Sequence, residues 1–206
     1  MTLSQIWGAS WAALGLPSPP PAKLAALLAR YAEPHRAYHT AQHLEECLAQ
    51  FALVRDCAQE PGIVELAIWY HDAVYWPRRS DNEQVSADLA ADELRAAGAT
   101  SELMSRVVAL ILLTTHEAPP PAGDGALLVD VDLAILGAEP SRYAEYERQV
   151  RVEYSWVPSL LFRRNRAEIL RSFLARPTIY TTPSNRKRLE ARARANLAAA
   201  LATCDS

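Results

Sequence analysis

Apolar residues recur at intervals of three and four along this chain, and no long stretch alternates apolar with polar, so the pattern predicts helices almost throughout. Proline and glycine divide that pattern into about ten segments. Leu3 to Leu14 forms the first, closed by Gly15 and the run Pro17-Ser18-Pro19-Pro20-Pro21. Ala22 to Glu33 follows and stops at Pro34, and Thr40 to Ala58 is a longer helix ended by Pro61-Gly62. Ile63 to Tyr75 is apolar along nearly all of one side, which predicts a central helix that stops at Pro77. Ser80 or Asp81 is expected to cap a helix that runs to Ala97 and ends at Gly98. Ser101 is expected to cap the next, which reaches about Thr115. A loop with prolines at 119 to 121 and two glycines leads to Leu127 to Leu136, which Gly137 ends. Ser141 to Trp156, Ser159 to Ala175 and Ser184 to Ala202 complete the chain.

Composition strengthens this picture. Half of the 206 residues are hydrophobic, Ala and Leu dominate them, and only seven are glycine. Ala and Leu are strong helix formers. No internal repeat or low-complexity linker is visible, and the length suits one core. The expectation is therefore a single all-α domain over residues 1–206. Its core lies at about 34–137, with a further N-terminal helix and a C-terminal helical extension at about 141–204.

Charge and cysteine content narrow the functional classes. A net charge of −3 gives no strong signal for a membrane surface or for specific nucleic-acid binding. The distribution is uneven, with 8 basic and 18 acidic residues up to Ser141 and 13 basic and 6 acidic from Arg142. Solvated helix faces account for this, although some arginines could serve an anionic substrate. Cys47, Cys57 and Cys204 are odd in number and match no disulfide or zinc-finger spacing. The first basic residue is Lys23 and the longest apolar run, Val107 to Leu113, is too short to span a bilayer. A reduced, cytoplasmic setting without a signal peptide or membrane partner is the expectation. Trp7, Trp11 and Trp156 are candidates for a face between two copies in a homodimer.

The chemistry concentrates in five histidines, His35, His39, His43, His71 and His116. If the segment is helical, His39 and His43 are one turn apart on one face and can share a site. His71 and Asp72 are adjacent in an apolar helix, where an aspartate is costly unless it is paired or holds a metal. The plain alternative is a polar pair at a helix end. Asp130 and Asp132 likewise interrupt an apolar segment, and at this spacing they do not share a helical face. One can face the site while the other caps a helix or pairs with an arginine. Mixed imidazole and carboxylate ligands suit Mn, Fe, Co, Ni or Zn, with Mg also acceptable, better than Ca.

In the order His43, His71-Asp72, Asp132 the chain resembles the HD superfamily of metal-dependent phosphohydrolases. The flanks resemble a group of small bacterial predicted HD phosphohydrolases. The matching stretches are Arg36-Ala37-Tyr38-His39-Thr40 with His43-Leu44, Trp69 to Tyr75, Asp81 to Ala87, Thr114-Thr115-His116 and Asp132 to Gly137, with Arg151 to Tyr154 and Ile179-Tyr180 beyond them. The resemblance implies a helical HD bundle and hydrolysis of a phosphate ester or anhydride by metal-activated water. It implies a small phosphorylated substrate, such as a nucleotide.

Carried over by position, the metal ligands would be His43, His71, Asp72 and Asp132, with His116 and Asp130 as additional candidates. His39 would protonate the leaving group. Asp72 would orient the water or take its proton, as could Asp132, and Asp81 and Glu83 would position it. Arg36, Arg78 and Arg79 would neutralise phosphate charge, with Arg151 and Arg164 more distant candidates. Tyr38, Tyr70, Tyr75 and Trp76 would line the pocket. A non-catalytic nucleotide- or small-molecule-binding HD module and a di-iron oxygenase of the same fold are the competing classes.

Overall fold

In a computed structural model of the chain, described for residues 1–116, 118 and 120–205, helices form the whole regular structure and no strand occurs among the described residues. The all-α expectation is met. Of the predicted proline loop, Pro119 lies outside the described residues. The helices are α1 (Leu3–Ala13), α2 (Pro21–Arg30), α3 (Ala41–Ala52), α4 (Pro61–Tyr70), α5 (Asn82–Ala96), α6 (Ser101–Leu112), α7 (Asp124–Asp132), α8 (Pro140–Glu153), α9 (Ser159–Leu174) and α10 (Pro183–Asp205). Short 3₁₀ turns occupy Arg55–Cys57, Leu113–Thr115 and Leu133–Gly137. None of these helices is long and apolar enough to cross a membrane.

The chain groups into two compact units, Met1–Val129 and Asp130–Ser206, and the division falls inside the segment predicted as Leu127 to Leu136. In the first unit α4 is central and packs on α1, α3, α5 and α6. Eight of its residues are buried, from Gly62 to Tyr70, because Glu65 is the only charged residue in an otherwise apolar sequence. Gly62 admits α1 closely: a Cβ there would stand 3.0 Å from both Ala13 Cβ and Leu14 Cδ2. Trp7 packs edge-on against Trp11 and Trp69, with ring centroids 5.5 and 5.1 Å apart. Trp69 donates its indole N–H to Ser10 Oγ at 3.2 Å. Trp7 and Trp11 are therefore core residues rather than a partner face, and only Trp156 of the three is exposed.

In the second unit α10 is central and packs on α8, α9 and the Leu133–Gly137 turn. Gly137 is required there, since a Cβ would lie 2.7 Å from Leu189 Cβ and 2.9 Å from Leu189 O. Asn196 donates its amide to the carbonyls of Leu136 and Ala138, both at 2.9 Å. Arg166, buried on α9, donates to Glu147 at 2.6 and 3.1 Å and to Tyr146 at 3.0 Å.

Several predicted boundaries move. The helix expected over Thr40 to Ala58 stops at Ala52. The one expected over Ile63 to Tyr75 starts at Pro61 and stops at Tyr70. It stops because the backbone beyond has other partners: Val74 exchanges hydrogen bonds with the Ser86 hydroxyl, and Trp76 with the Asn82 amide. Asp81 precedes α5 but does not cap it, because its carboxylate is turned to Arg79. Thr100, not Ser101, caps α6 by accepting from Leu103 N–H at 3.2 Å.

Candidate metal centre

His43 lies in the first turn of α3, on the buried face it shares with Leu44, Cys47, Leu48 and Phe51. His71 is the residue at which α4 ends, and Asp72 is in the turn that follows. The pair thus occupies a helix end rather than a helix interior, and that position frees both side chains to face α3. His43 Nε2 is 3.2 Å from His71 Nε2 and 3.4 Å from Asp72 Oδ2, and His71 Nε2 is 3.2 Å from the same carboxylate oxygen. Both imidazoles are buried, while the Asp72 side chain keeps 14% exposure.

The orientation of His71 is fixed locally. Its Nδ1 lies 2.9 Å from the carbonyl of Ile68, which can only accept, so Nδ1 carries a proton and Nε2 is the nitrogen turned to His43 and Asp72. Asp72 is held well below the usual carboxylate range. Burial opposes that, but the His71 and His39 imidazoles and hydrogen bonds from His43 and His71 outweigh it. An imidazole nitrogen and an anionic oxygen therefore stand 3.2 Å apart in a mostly dry site. Two ligands about 2.0–2.2 Å from one ion are separated by about 3.0–3.5 Å, which the three measured spacings match. Donors at this spacing could hold a metal ion.

Cys47 joins this group. One turn beyond His43 on α3, its Sγ is 3.7 Å from each ring nitrogen of His43. The ligand atoms of His43, Cys47 and His71 all lie within 4.8 Å of one another, so this buried group could hold a metal ion. Sequence reasoning considered Cys47 only for disulfide and zinc-finger spacings. The usable signal was the His-x-x-x-Cys interval, which puts both side chains on one helical face.

Behind the ligands sits Arg36, whose side chain is completely buried. It donates to His39 O at 2.9 Å, Asp72 O at 2.7 Å, Ala73 O at 3.2 Å and Glu33 Oε2 at 3.1 Å. Its guanidinium also lies 5.3 and 5.6 Å from the Tyr31 and Tyr75 rings. These contacts tie the His39 segment to the His-Asp turn. The structure therefore gives Arg36 a positioning role where the sequence suggested a phosphate clamp. Ser86 and Asn82 on α5 hold the same turn from its other end, a role the sequence reading did not assign.

His39 precedes α3, and extended backbone at Thr40 (φ −112°, ψ −179°) separates the two histidines, so they do not share a helical face. Their ring centroids are 6.0 Å apart nonetheless, and the His39 ring stacks on Tyr75 at 3.9 Å. Tyr38 is buried, with its ring 4.7 Å from that of His43. Tyr70 is buried, whereas Trp76 is half-exposed and stacks on His35 at 3.9 Å. Arg78 is exposed, and Glu83 stands partly buried in the first turn of α5. Arg79 and Asp81 are exposed and bind each other in a two-pronged pair at 2.8 Å. That contact holds Asp81 below the ordinary carboxylate range. His116 takes a left-handed conformation (φ 56°) after the 3₁₀ turn and is not in the ligand group found among the described residues.

The two aspartates of α7 differ. Asp130 is buried, and its oxygens accept from Thr181 N–H at 2.8 Å, Thr182 N–H at 2.7 Å and Thr182 Oγ1 at 2.6 Å. It anchors the entry to α10 within the second unit. Asp132 closes α7 and is half-buried. Arg151 donates to Tyr154 O, Val157 O and Ser159 Oγ, bracing the turn between α8 and α9, while Arg164 is an exposed partner of Glu168.

No family model, no curated protein and no solved structure matches this chain.

Proposed function

We propose that the protein is a divalent-metal-dependent hydrolase of the HD type that cleaves a phosphate ester or anhydride in a small molecule such as a nucleotide. The observation that carries this reading is the meeting of His71 Nε2, the Asp72 carboxylate and His43 Nε2 at 3.2–3.4 Å in a buried site. Support also comes from the resemblance of the flanking residues to HD phosphohydrolases. His43, His71 and Asp72 hold the ion, and Asp132 is the carboxylate that the resemblance adds. A divalent ion bound by these residues supplies an acidified water and charge neutralisation for a phosphoryl group.

The chain's own groups divide the remaining work. Asp72 accepts the proton of the attacking water through the carboxylate oxygen not turned to the imidazoles. His39, held against Tyr75, delivers a proton to the leaving oxygen. Arg78, exposed in the segment that follows the His71-Asp72 turn, meets the phosphate charge.

The test compares wild-type protein with Asp72→Ala after purification without chelator. Expected are about one or more transition-metal ions per chain in the wild type, and loss of both metal and turnover of phosphorylated substrates in the variant. An unaltered rate in Asp72→Ala sinks the hydrolase reading. A nucleotide that raises the melting temperature yet is never consumed points to a binding module instead.

A further inference from the structure

We propose that the Cys47 sulfur is itself a ligand of this metal centre, which makes the site one for a thiophilic ion such as zinc, cobalt or iron(II) rather than manganese or magnesium. The inference rests on the metal-centre reading above. Its own support is geometric. Cys47 follows His43 by one turn, is only 3% exposed, and has its sulfur 3.7 Å from both ring nitrogens of His43 and within 4.8 Å of the His71 ligand atom. Sulfur at about 2.3 Å and nitrogen at about 2.0 Å from one ion are about 3.5 Å apart at a tetrahedral angle. The 3.7 Å separation of Cys47 Sγ from the His43 nitrogens is close to that value. The other two cysteines are different, Cys57 being exposed and Cys204 standing outside the ligand group found among the described residues.

The ligand type then decides the metal. Carboxylate and imidazole alone accept manganese readily, whereas a thiolate shifts preference toward softer ions. Coordination forms an Sγ–metal bond and breaks the S–H bond, and the proton leaves to solvent. No oxidation is involved.

The test uses the full chain and cobalt(II). Wild type, and a Cys57→Ser/Cys204→Ser variant, are expected to bind cobalt with a near-ultraviolet thiolate-to-cobalt charge-transfer band. Cys47→Ser and Cys47→Ala are expected to keep the visible ligand-field bands of bound cobalt and lose the charge-transfer band. Their preference for zinc over manganese falls by about tenfold or more, the scale on which metal sites respond to altered support. Having both variants, with helicity checked by circular dichroism, separates ligand loss from failure to fold. Cobalt that binds in a His71-dependent way without the charge-transfer band overturns the thiolate and leaves the metal centre intact. No cobalt binding in any form overturns both.

Discussion

Asp72 in the first unit and Asp130 in the second interrupt equally apolar sequence, yet their surroundings push them in opposite directions. Asp72 faces imidazoles from two segments, and its carboxyl is held far below the ordinary range despite burial. Asp130 accepts two backbone N–H bonds and one hydroxyl, and burial still outweighs these contacts and raises it. Chargeable partners at 3.2–3.4 Å offset desolvation where neutral dipoles do not. The contacts of Asp130 with Thr181 and Thr182 are all donors to its oxygens. Asp72 instead faces imidazole nitrogens of His43 and His71, groups that can also ligate a metal ion.

That contrast can be broken by mutation. The largest effect on stability is expected from Arg36→Ala. This change strands the carbonyls of His39, Asp72 and Ala73 in a buried place and costs roughly 3–5 kcal/mol. Metal affinity should fall with it even though no ligand is altered. Chemical denaturation with and without added zinc measures both losses. Next comes Asp130→Ala, which removes three accepted hydrogen bonds and should cost about 2–4 kcal/mol without changing the cobalt spectrum. If Asp130→Ala empties the metal site instead, Asp130 is a ligand and the comparison collapses.

The smallest effect is in titration of the metal-free protein. For Asp72 the folded value is depressed, so its contribution is present above the unfolded value near 3.9 and is lost as pH falls toward the lower folded value. For Asp130 the folded value is raised, so stability declines as pH climbs from the unfolded value to the folded one. Carboxyl-carbon NMR should show Asp130 titrating above, and Asp72 below, the ordinary aspartate range. A shared midpoint would remove the distinction.

Much of the fold was legible because punctuation by proline and glycine marks helix ends wherever the chain is amphipathic. It was least legible in α4, where all residues but Glu65 are uncharged and mostly apolar, so periodicity cannot show where hydrogen bonding stops. His71 and Asp72 were therefore read inside a helix that ends at Tyr70. The His39–His43 interval misled for another reason: four-residue spacing implies a shared face only if the backbone between is helical, and Thr40 is extended. Arg36 could not be told from a solvent-facing arginine, since burial of a cation depends on carbonyls from a turn 36 residues away. Cys47 carried a readable signal, the one-turn interval after a ligand histidine. The choice between Ser101 and its neighbour Thr100 as cap is a one-residue matter on which composition is silent.

The tryptophan cluster of α1 and α4 has an optical consequence. Trp7, Trp11 and Trp69 are buried, with the Trp7 centroid 5.5 Å from Trp11 and 5.1 Å from Trp69, close enough for exciton coupling in the near-ultraviolet circular dichroism and for energy transfer among the indoles. Trp76 is also in the first unit, and Trp156, the only tryptophan in the second, is half-exposed. Intrinsic fluorescence during unfolding thus reports the unit that carries His43 and His71 and is nearly blind to the helices around α10. A fluorescence melt and a far-ultraviolet melt that diverge would reveal the two units letting go at different temperatures.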